Sequence, residues 1–209
     1  MSDQRTSGLR KILSSPQFYD FFQVLVGGKK SRKYILENYI SDKLKAGDKI
    51  LDIGCGTGYI LDYIDDKAIY CGYDLDQRYI NFAKQKYKGK GEFHCARVNS
   101  MNVTDEKQYD FVFAFGLIHH LDNNEAIELF NIAKSNLKSG GIFLTLDGVF
   151  KTNQNFIAKA FLNNDRGKFV RSEIEYLELA KSVFLTVESE ISDKIFNIPY
   201  SACILNCCK

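Results

Sequence analysis

The stretch LDIGCGTG at residues 51–58 decides the fold of this chain. A short apolar run from Lys49 leads into three glycines spaced one residue apart, and a second apolar run ends at Asp74 after a helical segment. Glycines let a backbone turn sharply and approach a ligand closely, because a side chain there would fill the volume of the ligand. The stretch therefore predicts a strand, a glycine turn, a helix and a second strand, which is how a nucleoside ligand is held.

Two acids accompany the turn and indicate the charge of its ligand. Asp52 lies inside the end of the first strand, where its carboxylate would repel a diphosphate and favour a cationic ligand. Asp74 ends the next strand, eighteen residues after Gly56, and is placed to accept hydrogen bonds from both hydroxyls of a ribose. The pattern favours a nucleoside with a positive centre and no phosphate. The alternative is a structural tight turn beside an incidental aspartate.

Short apolar strands alternate with helices along the rest of the chain. Such alternation requires crossover connections, so it predicts a parallel sheet covered by helices on both faces. The last two strands are separated by a short turn, which predicts an antiparallel hairpin. The predicted strands are 49–53, 68–73, 92–98, 109–115, 142–147, 184–191 and 202–206. The predicted helices are one that contains Phe18, Phe21, Phe22 and Leu25, then 31–44, 58–64, 76–87, 123–137 with Asn123 or Asn124 as its cap, 155–162 and 172–180.

The glycine turn with its acids resembles the signature of the Rossmann-like, S-adenosylmethionine-dependent methyltransferases, over about residues 34–206. The resemblance implies an α/β fold with a doubly wound, mostly parallel seven-stranded sheet whose last strand is reversed. It divides the chain into an N-terminal helical cap at 1–46 and a cofactor-binding domain at 47–209, with a lid insert at about 148–171. The expected cofactor is S-adenosylmethionine, and the product is S-adenosylhomocysteine.

The same resemblance implies a set of cofactor-binding residues. Asp74 is expected on the ribose, Leu75 and Met101 on the two faces of the adenine ring, and Asn99 on its amino group, where such families often place an acid. Leu75 and Met101 have an equally good interpretation as ordinary core residues. The full set is Asp52, Gly54, Cys55, Gly56, Gly58, Asp74, Leu75, Asn99, Met101 and Phe115.

The segment GLIHHLD at 116–122 resembles a stretch found in small-molecule members of the superfamily and is expected to border the transferable methyl group. Methyl transfer is an in-line displacement at a sulfonium, so the enzyme mainly aligns a nucleophile and accepts its proton. His119 and His120 are the candidates for that proton, because imidazole titrates near neutral pH. Each has an equally good interpretation as a packed or capping histidine.

The predicted insert carries two arginines that suit an acidic acceptor. A guanidinium binds a carboxylate or phosphate with two hydrogen bonds, so Arg166 and Arg171 are candidates for acceptor binding. Ion pairs with Glu173 or Glu175 are the alternative use. Tyr200 is expected to line the pocket. The interpretation is methyl transfer to a small molecule, at oxygen rather than nitrogen; the alternatives are an RNA or protein methyltransferase and a non-catalytic nucleoside-binding domain.

Composition narrows the class of protein further. The chain has 209 residues, a net charge of +2 and 45% hydrophobic residues, which gives no strong field for a polyanion despite basic clusters at 29–33 and 84–90. No apolar run is long enough to span a bilayer and no secretory signal is visible, so a cytoplasmic location is expected. Six cysteines lack paired spacing, which predicts no disulfide and no metal site. The oligomeric state stays open.

Overall fold

The computed structural model describes residues 25–64, 68–96, 108–165 and 167–209, and one sheet forms its centre. The strands are β1 (Lys49–Ile53), β2 (Ile69–Asp74), β3 (Glu92–Cys95), β4 (Tyr109–Phe115), β5 (Leu137–Phe150), β6 (Arg171–Ser172), β7 (Thr186–Ser192) and β8 (Ala202–Cys208). Seven of them form a continuous path in the order β3-β2-β1-β4-β5-β8-β7, and the short β6 pairs with β5 at the side.

The direction of the strands confirms the predicted architecture. β1 to β5 pair in parallel with their neighbours, whereas β8 runs antiparallel to both β5 and β7. The reversed last strand and the terminal hairpin are therefore present. Among the described residues, the two-residue β6 is the one strand beyond the seven that were predicted.

Helices cover the two faces of this sheet. They are α1 (Gly28–Ile35), which continues into a π-helical turn (Leu36–Ile40), α2 (Gln77–Lys86), α3 (Asn123–Asn136), α4 (Phe156–Asn163) and α5 (Glu173–Lys181), with 3₁₀ turns at Tyr59–Asp62 and Ile118–His120. Among the residues described, no helix has the length and hydropathy needed to cross a bilayer. All six cysteines are free thiols.

Several predicted boundaries were wrong. The segment after the glycine turn forms only the 3₁₀ turn Tyr59–Asp62 instead of a helix over 58–64. The cap of α3 is Asp122 rather than either asparagine, because its carboxylate accepts from the N–H of Glu125 while the Glu125 side chain accepts from the N–H of Asp122. β5 is longer than predicted, so the expected insert at 148–171 begins inside a strand. The predicted helix that contains Phe18, Phe21 and Phe22 lies, except for Leu25, outside the described residues. The division into 1–46 and 47–209 stays a prediction.

Two apolar layers hold the helices to the sheet. The layer beneath α3 and α5 contains Phe130, Phe143 and Phe184, all nearly fully buried. The Phe130 ring meets that of Phe143 edge to face at 5.5 Å between centroids, and the rings of Phe143 and Phe184 stack at 6.0 Å. Such aromatic pairs add about 0.5–1.5 kcal/mol each to the stabilisation from burial. The opposite layer, beneath α1 and α2, contains Tyr70 and Phe93.

Replacement of Phe130 by alanine should remove the centre of the first layer. We expect Phe130→Ala to lower the free energy of unfolding by about 3–5 kcal/mol, because the site cannot collapse around the lost ring. Urea denaturation measures the change. Ile174→Ala is the control, since Ile174 is 68% exposed, and should change stability by less than about 0.5 kcal/mol. Equal effects of the two substitutions would contradict the packing described here.

Candidate active site

A crevice lies at the carboxyl ends of β1 and β4. β1 pairs with β2 on one side and with β4 on the other, so the chain leaves β1 and β4 in opposite directions along the sheet. Open α/β sheets bind ligands at such a reversal of strand order. The residues that line the cavity at this point include Arg32, Asp52, Gly54, Cys55, Thr57 and Phe115.

The glycine turn forms the floor of the crevice. Gly54, Gly56 and Gly58 have φ angles of 76°, 55° and 72°, a left-handed conformation that side chains disfavour. A Cβ on Gly58 would also lie 2.8 Å from the ring of Phe93. The N–H groups of Gly54 and Cys55 both donate to the Tyr73 carbonyl, at 2.7 and 3.0 Å. The turn is therefore fixed against the end of β2.

Asp74 completes that attachment. Its Oδ2 accepts from the Gly56 N–H and its Oδ1 from the Asp76 N–H, both at 2.8 Å. Burial raises the pKa of Asp74, and these N–H donors act in the opposite direction. Each oxygen keeps a second lone pair for a ligand hydroxyl. Leu75, the next residue, is 48% exposed, so its side chain is available to an apolar ring.

Asp52 is a buried carboxylate beside the crevice. Its Oδ2 accepts a 2.7 Å hydrogen bond from the Tyr70 hydroxyl. Burial raises the pKa of Asp52 to about 6, although the Tyr70 hydrogen bond and the charge of Arg32 partly oppose that rise. The carboxylate is ionised at pH 7, and it gives the crevice a fixed negative charge.

Arg32 supplies the opposite charge, and the sequence analysis missed it as a site residue. Lys29, Lys30 and Lys33 are exposed on α1, whereas Arg32 is half-buried and lines the cavity. Its Nη1 donates to Ser31 Oγ at 3.2 Å, while its Nε is buried and has no hydrogen-bond partner among the described residues. A buried guanidinium N–H without a partner is costly. The crevice therefore offers a cation and an anion to one ligand, which suits a zwitterionic amino-acid group.

The position of α1 depends on contacts with the far edge of the sheet. The hydroxyl of Tyr39 donates to Glu190 Oε2 at 2.5 Å, and that of Tyr34 donates to the other oxygen of Glu190. The N–H of Asn197 also donates to the Val26 carbonyl at 2.9 Å. These bonds hold the helix that carries the guanidinium over the crevice.

His119 lies at the carboxyl ends of β4 and β5, between two acids. Its Nδ1 is 2.7 Å from Asp147 Oδ1 and its Nε2 is 3.2 Å from Asp165 Oδ1. Burial alone would lower the pKa of His119, but the bonds to the two carboxylates outweigh it and raise this pKa to about 10. At pH 7 the ring is therefore an imidazolium. Asp147 Oδ2 is buried and has no partner in the described parts of the chain.

The segment around Gly167 packs directly on this histidine. The Phe169 N–H donates to the His119 carbonyl at 2.9 Å, and a Cβ on Gly167 would lie 2.1 Å from the His119 ring. The Tyr200 hydroxyl donates to Asp165 Oδ2 at 3.0 Å. Burial raises the pKa of Tyr200, so this hydroxyl keeps its proton. The hydrogen-bonded chain therefore runs from Asp147 through His119 and Asp165 to Tyr200.

Comparison with known proteins agrees with this geometry. Residues 50–141, which contain the glycine turn, Asp74 and both adjacent histidines, match the family described as a methyltransferase domain. This part of the chain is therefore similar to a methyltransferase domain, and the chain has the fold of the Rossmann-like methyltransferases.

Individual methyltransferases resemble the chain over different lengths. Protein 235L of Invertebrate iridescent virus 6, named as a methyltransferase, is 28% identical over 176 residues, which are 79% of this chain and 64% of that protein. Phosphoethanolamine N-methyltransferase 1 of Arabidopsis thaliana is 30% identical over 59% of this chain and 25% of its own length. Phosphoethanolamine N-methyltransferase 2 of Haemonchus contortus, crystallised with phosphomonomethylethanolamine and S-adenosylhomocysteine, superimposes with a TM-score of 0.77 at 16% identity. The superposition covers 96% of this chain and 59% of that one, so the chain spans less than two thirds of each of these proteins.

Arg171, which was predicted to bind the acceptor, is buried and bonded within the protein. Its guanidinium is buried and donates to the carbonyl oxygens of Ile118, Leu121 and Phe169 and to Asn123 Oδ1. It binds these oxygens instead of the carboxylates of Glu173 or Glu175 that were the alternative. Arg171 therefore fixes the histidine-bearing loop in place. Arg166, Asn99 and Met101 lie outside the described residues.

The two acids that hold His119 were also not predicted as site residues. Asp147 was predicted to end a strand, and Asp165 falls in the predicted insert at 148–171. Phe115 lies opposite Leu146 in the pairing of β4 with β5, and the Gly116 N–H donates to the Leu146 carbonyl at 2.7 Å. This register brings Asp147 to the start of the histidine loop, where its Oδ1 also accepts from the His119 N–H at 3.1 Å. A carboxylate at the end of the strand next to that of the histidines was the available signal.

Removal of the Asp165 charge should lower the pKa of His119. An opposite charge at this distance shifts a pKa by about 1–3, so Asp165→Asn should bring the imidazole titration down from about 10, as followed by NMR. The native charge stabilises the fold fully below the pKa of an unfolded histidine, and this contribution is lost as pH rises toward 10. Asp62→Asn, which removes a carboxylate bonded to Lys86 and Tyr87, is the control. An unchanged His119 titration would show that Asp165 does not hold the ring.

Proposed function

We propose that this chain transfers the methyl group of S-adenosylmethionine to a small-molecule acceptor, with an oxygen atom as the nucleophile. The observation that carries the proposal is the crevice at the reversal of strand order, where Arg32 and Asp52 offer opposite charges beside the glycine turn. A dinucleotide site would bring a diphosphate to the same turn, and the ionised Asp52 would repel it. A sulfonium nucleoside with an amino-acid end matches both charges.

The residues of the crevice divide the cofactor among them. We assign the carboxylate of its amino-acid end to Arg32, whose buried Nε lacks a partner in the described chain, and its ammonium group to Asp52. Asp74 accepts hydrogen bonds from the ribose hydroxyls with its remaining lone pairs, and the glycine turn lets the ligand come close to the protein backbone. Leu75 covers the adenine, with Asn99 and Met101 as further proposed contacts, and Cys55 and Phe115 line the cavity. When bound, the cofactor supplies an electrophilic methyl group on a positively charged sulfur.

The state of His119 defines what it can do for the acceptor. Because its ring already carries both protons, it serves as a charged N–H donor and as a positioning group rather than as the proton acceptor. Such a donor suits an oxygen nucleophile, which would replace the Asp165 carboxylate as the hydrogen-bond partner of His119 Nε2. The ring of His120 lies 4.1 Å from that of His119 between centroids, and we propose His120 as the group that accepts the acceptor's proton. Tyr200, which donates to Asp165, and Arg166, which follows Asp165 in the sequence, are the proposed acceptor contacts.

Binding of S-adenosylhomocysteine should depend on pH through Asp52. Its pKa of about 6 means that the carboxylate is ionised at pH 7 and attracts the ligand's ammonium group, whereas protonation at lower pH removes that attraction. If only the ionised form binds, the Kd measured by calorimetry should rise about tenfold between pH 7 and pH 5. Asp52→Asn should weaken binding at pH 7 and flatten this dependence.

The control for this titration is Asp193→Asn, which removes an exposed carboxylate that pairs with Lys151 and should leave the pH dependence unchanged. Asp74→Ala should abolish binding, because the glycine turn loses its bond at Gly56 together with the ribose acceptor. Tight binding by Asp74→Ala, or no binding by the wild type, would end the assignment.

A cationic amine is the second candidate acceptor. His119 and its two carboxylates together carry a net charge of −1 at pH 7, which attracts an ammonium group, and the Arabidopsis relative is named for N-methylation of phosphoethanolamine. A screen with radiolabelled cofactor and matched carboxylic acids, phenols and amines separates the two. Radioactivity in a base-labile methyl ester or in a phenol ether supports oxygen, and a base-stable methylated amine supports nitrogen.

Turnover in the same assay tests the histidines. His120→Ala should reduce kcat by about 10²–10⁴-fold, the usual contribution of general base catalysis, with little change in the affinity for S-adenosylhomocysteine. His119→Ala should also lower turnover, because it removes the charged N–H donor and disturbs the loop at 118–123. Wild-type turnover in His120→Ala would show that the acceptor arrives already ionised.

The RNA or protein alternative has little support in the described residues. Lys33 forms an ion pair with Glu37 and Arg32 faces the crevice, so the first basic cluster is not a continuous surface. A phosphate interface would show steep salt dependence of RNA binding. Intact S-adenosylhomocysteine binding without methyl transfer to any fraction of an extract would favour the non-catalytic alternative.

A further inference from the structure

A second group of reactive side chains lies near the edge of the sheet, on β2 and β3. The two strands pair in parallel with Cys71 opposite Glu92 and Tyr73 opposite His94. Because side chains alternate along a strand, Cys71, Glu92 and His94 lie on one face. The donor atoms of these three residues all lie within 4.8 Å of one another.

The imidazole of His94 points into this group with an atom that lacks a partner. Its Nε2 is buried and makes no hydrogen bond within the described residues, and it lies 3.5 Å from Glu92 Oε2. A buried ring nitrogen without a partner is unfavourable unless something binds it. The Glu92 side chain is 71% exposed, so its carboxylate has the freedom to swing toward a common centre.

Neighbouring aromatic residues hold two of the three donors in place. The His94 ring stacks on that of Tyr73, with 4.8 Å between centroids and 23° between planes. The buried Cys71 thiol interacts with the hydroxyls of Tyr73 and Tyr109. Polar groups of this kind around a ligand fix its orientation and tune its affinity for a metal.

We propose that Cys71, Glu92 and His94 bind one divalent cation of the zinc type. A thiolate, an imidazole and a carboxylate are the ligands that zinc takes in proteins, and a water molecule completes the tetrahedron. On binding, the Cys71 thiol gives its proton to solvent and its sulfur forms the bond to the metal. The cation joins the edge strand β3 to β2, and therefore stabilises the strand that ends in Asp74.

The competing interpretation is an ordinary pair of His94 with Glu92 above a packed thiol. Titration of the full chain with cobalt(II) alone distinguishes the two, because a thiolate ligand gives an intense charge-transfer absorption that an imidazole–carboxylate site lacks. The proposal expects that absorption at one equivalent of cobalt, its loss on addition of zinc, and a higher Tm with zinc present, since a ligand that binds only the folded state stabilises it.

Variants locate the site. Cys71→Ser should abolish the charge-transfer absorption, and His94→Gln should weaken cobalt binding by at least about tenfold. Cys95→Ser is the matched control, because Cys95 is the next residue on β3, is exposed and lies on the opposite face. Circular dichroism checks that each variant is folded. Should Cys71→Ser fail to fold, His94→Gln, whose side chain is 41% exposed, still decides the outcome.

Absence of cobalt binding by the wild type would overturn the proposal, as would an unchanged cobalt affinity in His94→Gln or loss of the absorption in Cys95→Ser. The measurement uses no methyl donor and no acceptor, so its result is independent of the proposed methyl transfer.

Discussion

The hydrogen bonds of Asp74 are the constraint on which the site depends. One carboxylate joins the Gly56 N–H to the Asp76 N–H, and so connects the turn after β1 to the start of α2. The N–H groups of Gly54 and Cys55 donate to the Tyr73 carbonyl beside this acid, which fixes the left-handed backbone that the glycines adopt. These bonds fix the position of the glycine turn against the end of β2, and the turn defines the floor of the cavity.

The buried charged residues of the site differ in how far their neighbours compensate their charge. A buried ion without a partner carries a large desolvation penalty, and a single hydrogen-bond partner offsets only part of that penalty. His119 is surrounded by two carboxylates and keeps its charge, whereas Asp52 has one hydroxyl donor and a guanidinium that acts through its field, and its pKa is raised to about 6. The charges of Arg32 and Asp52 are therefore less completely compensated than the charge of His119. A zwitterionic ligand would compensate both charges.

Sequence patterns predicted the sheet, its reversed strand and the glycine turn because these depend on local periodicity and on backbone conformation. They failed where the outcome depends on tertiary contacts. Arg32 belongs to a run of basic residues, and only the docking of α1 through Tyr34, Tyr39 and Glu190 distinguishes it from its exposed neighbours. Arg171 carries the same guanidinium that suits an acceptor, yet four oxygen atoms in the loop at 118–123 and at Phe169 accept its hydrogen bonds.

The proposed cation site depends on tertiary contacts in the same way. Spacing rules find ligands that one loop or one hairpin brings together, but Cys71 and His94 come from parallel strands separated by α2, and only the register of β2 with β3 makes them neighbours. Cys71 lies on the strand that ends in Asp74, since β2 continues from Cys71 to Asp74 in three residues. A cation held between the two strands would restrain the strand end that fixes the glycine turn. The edge of a sheet is where such restraint matters most, because β3 has a partner on one side only among the described strands.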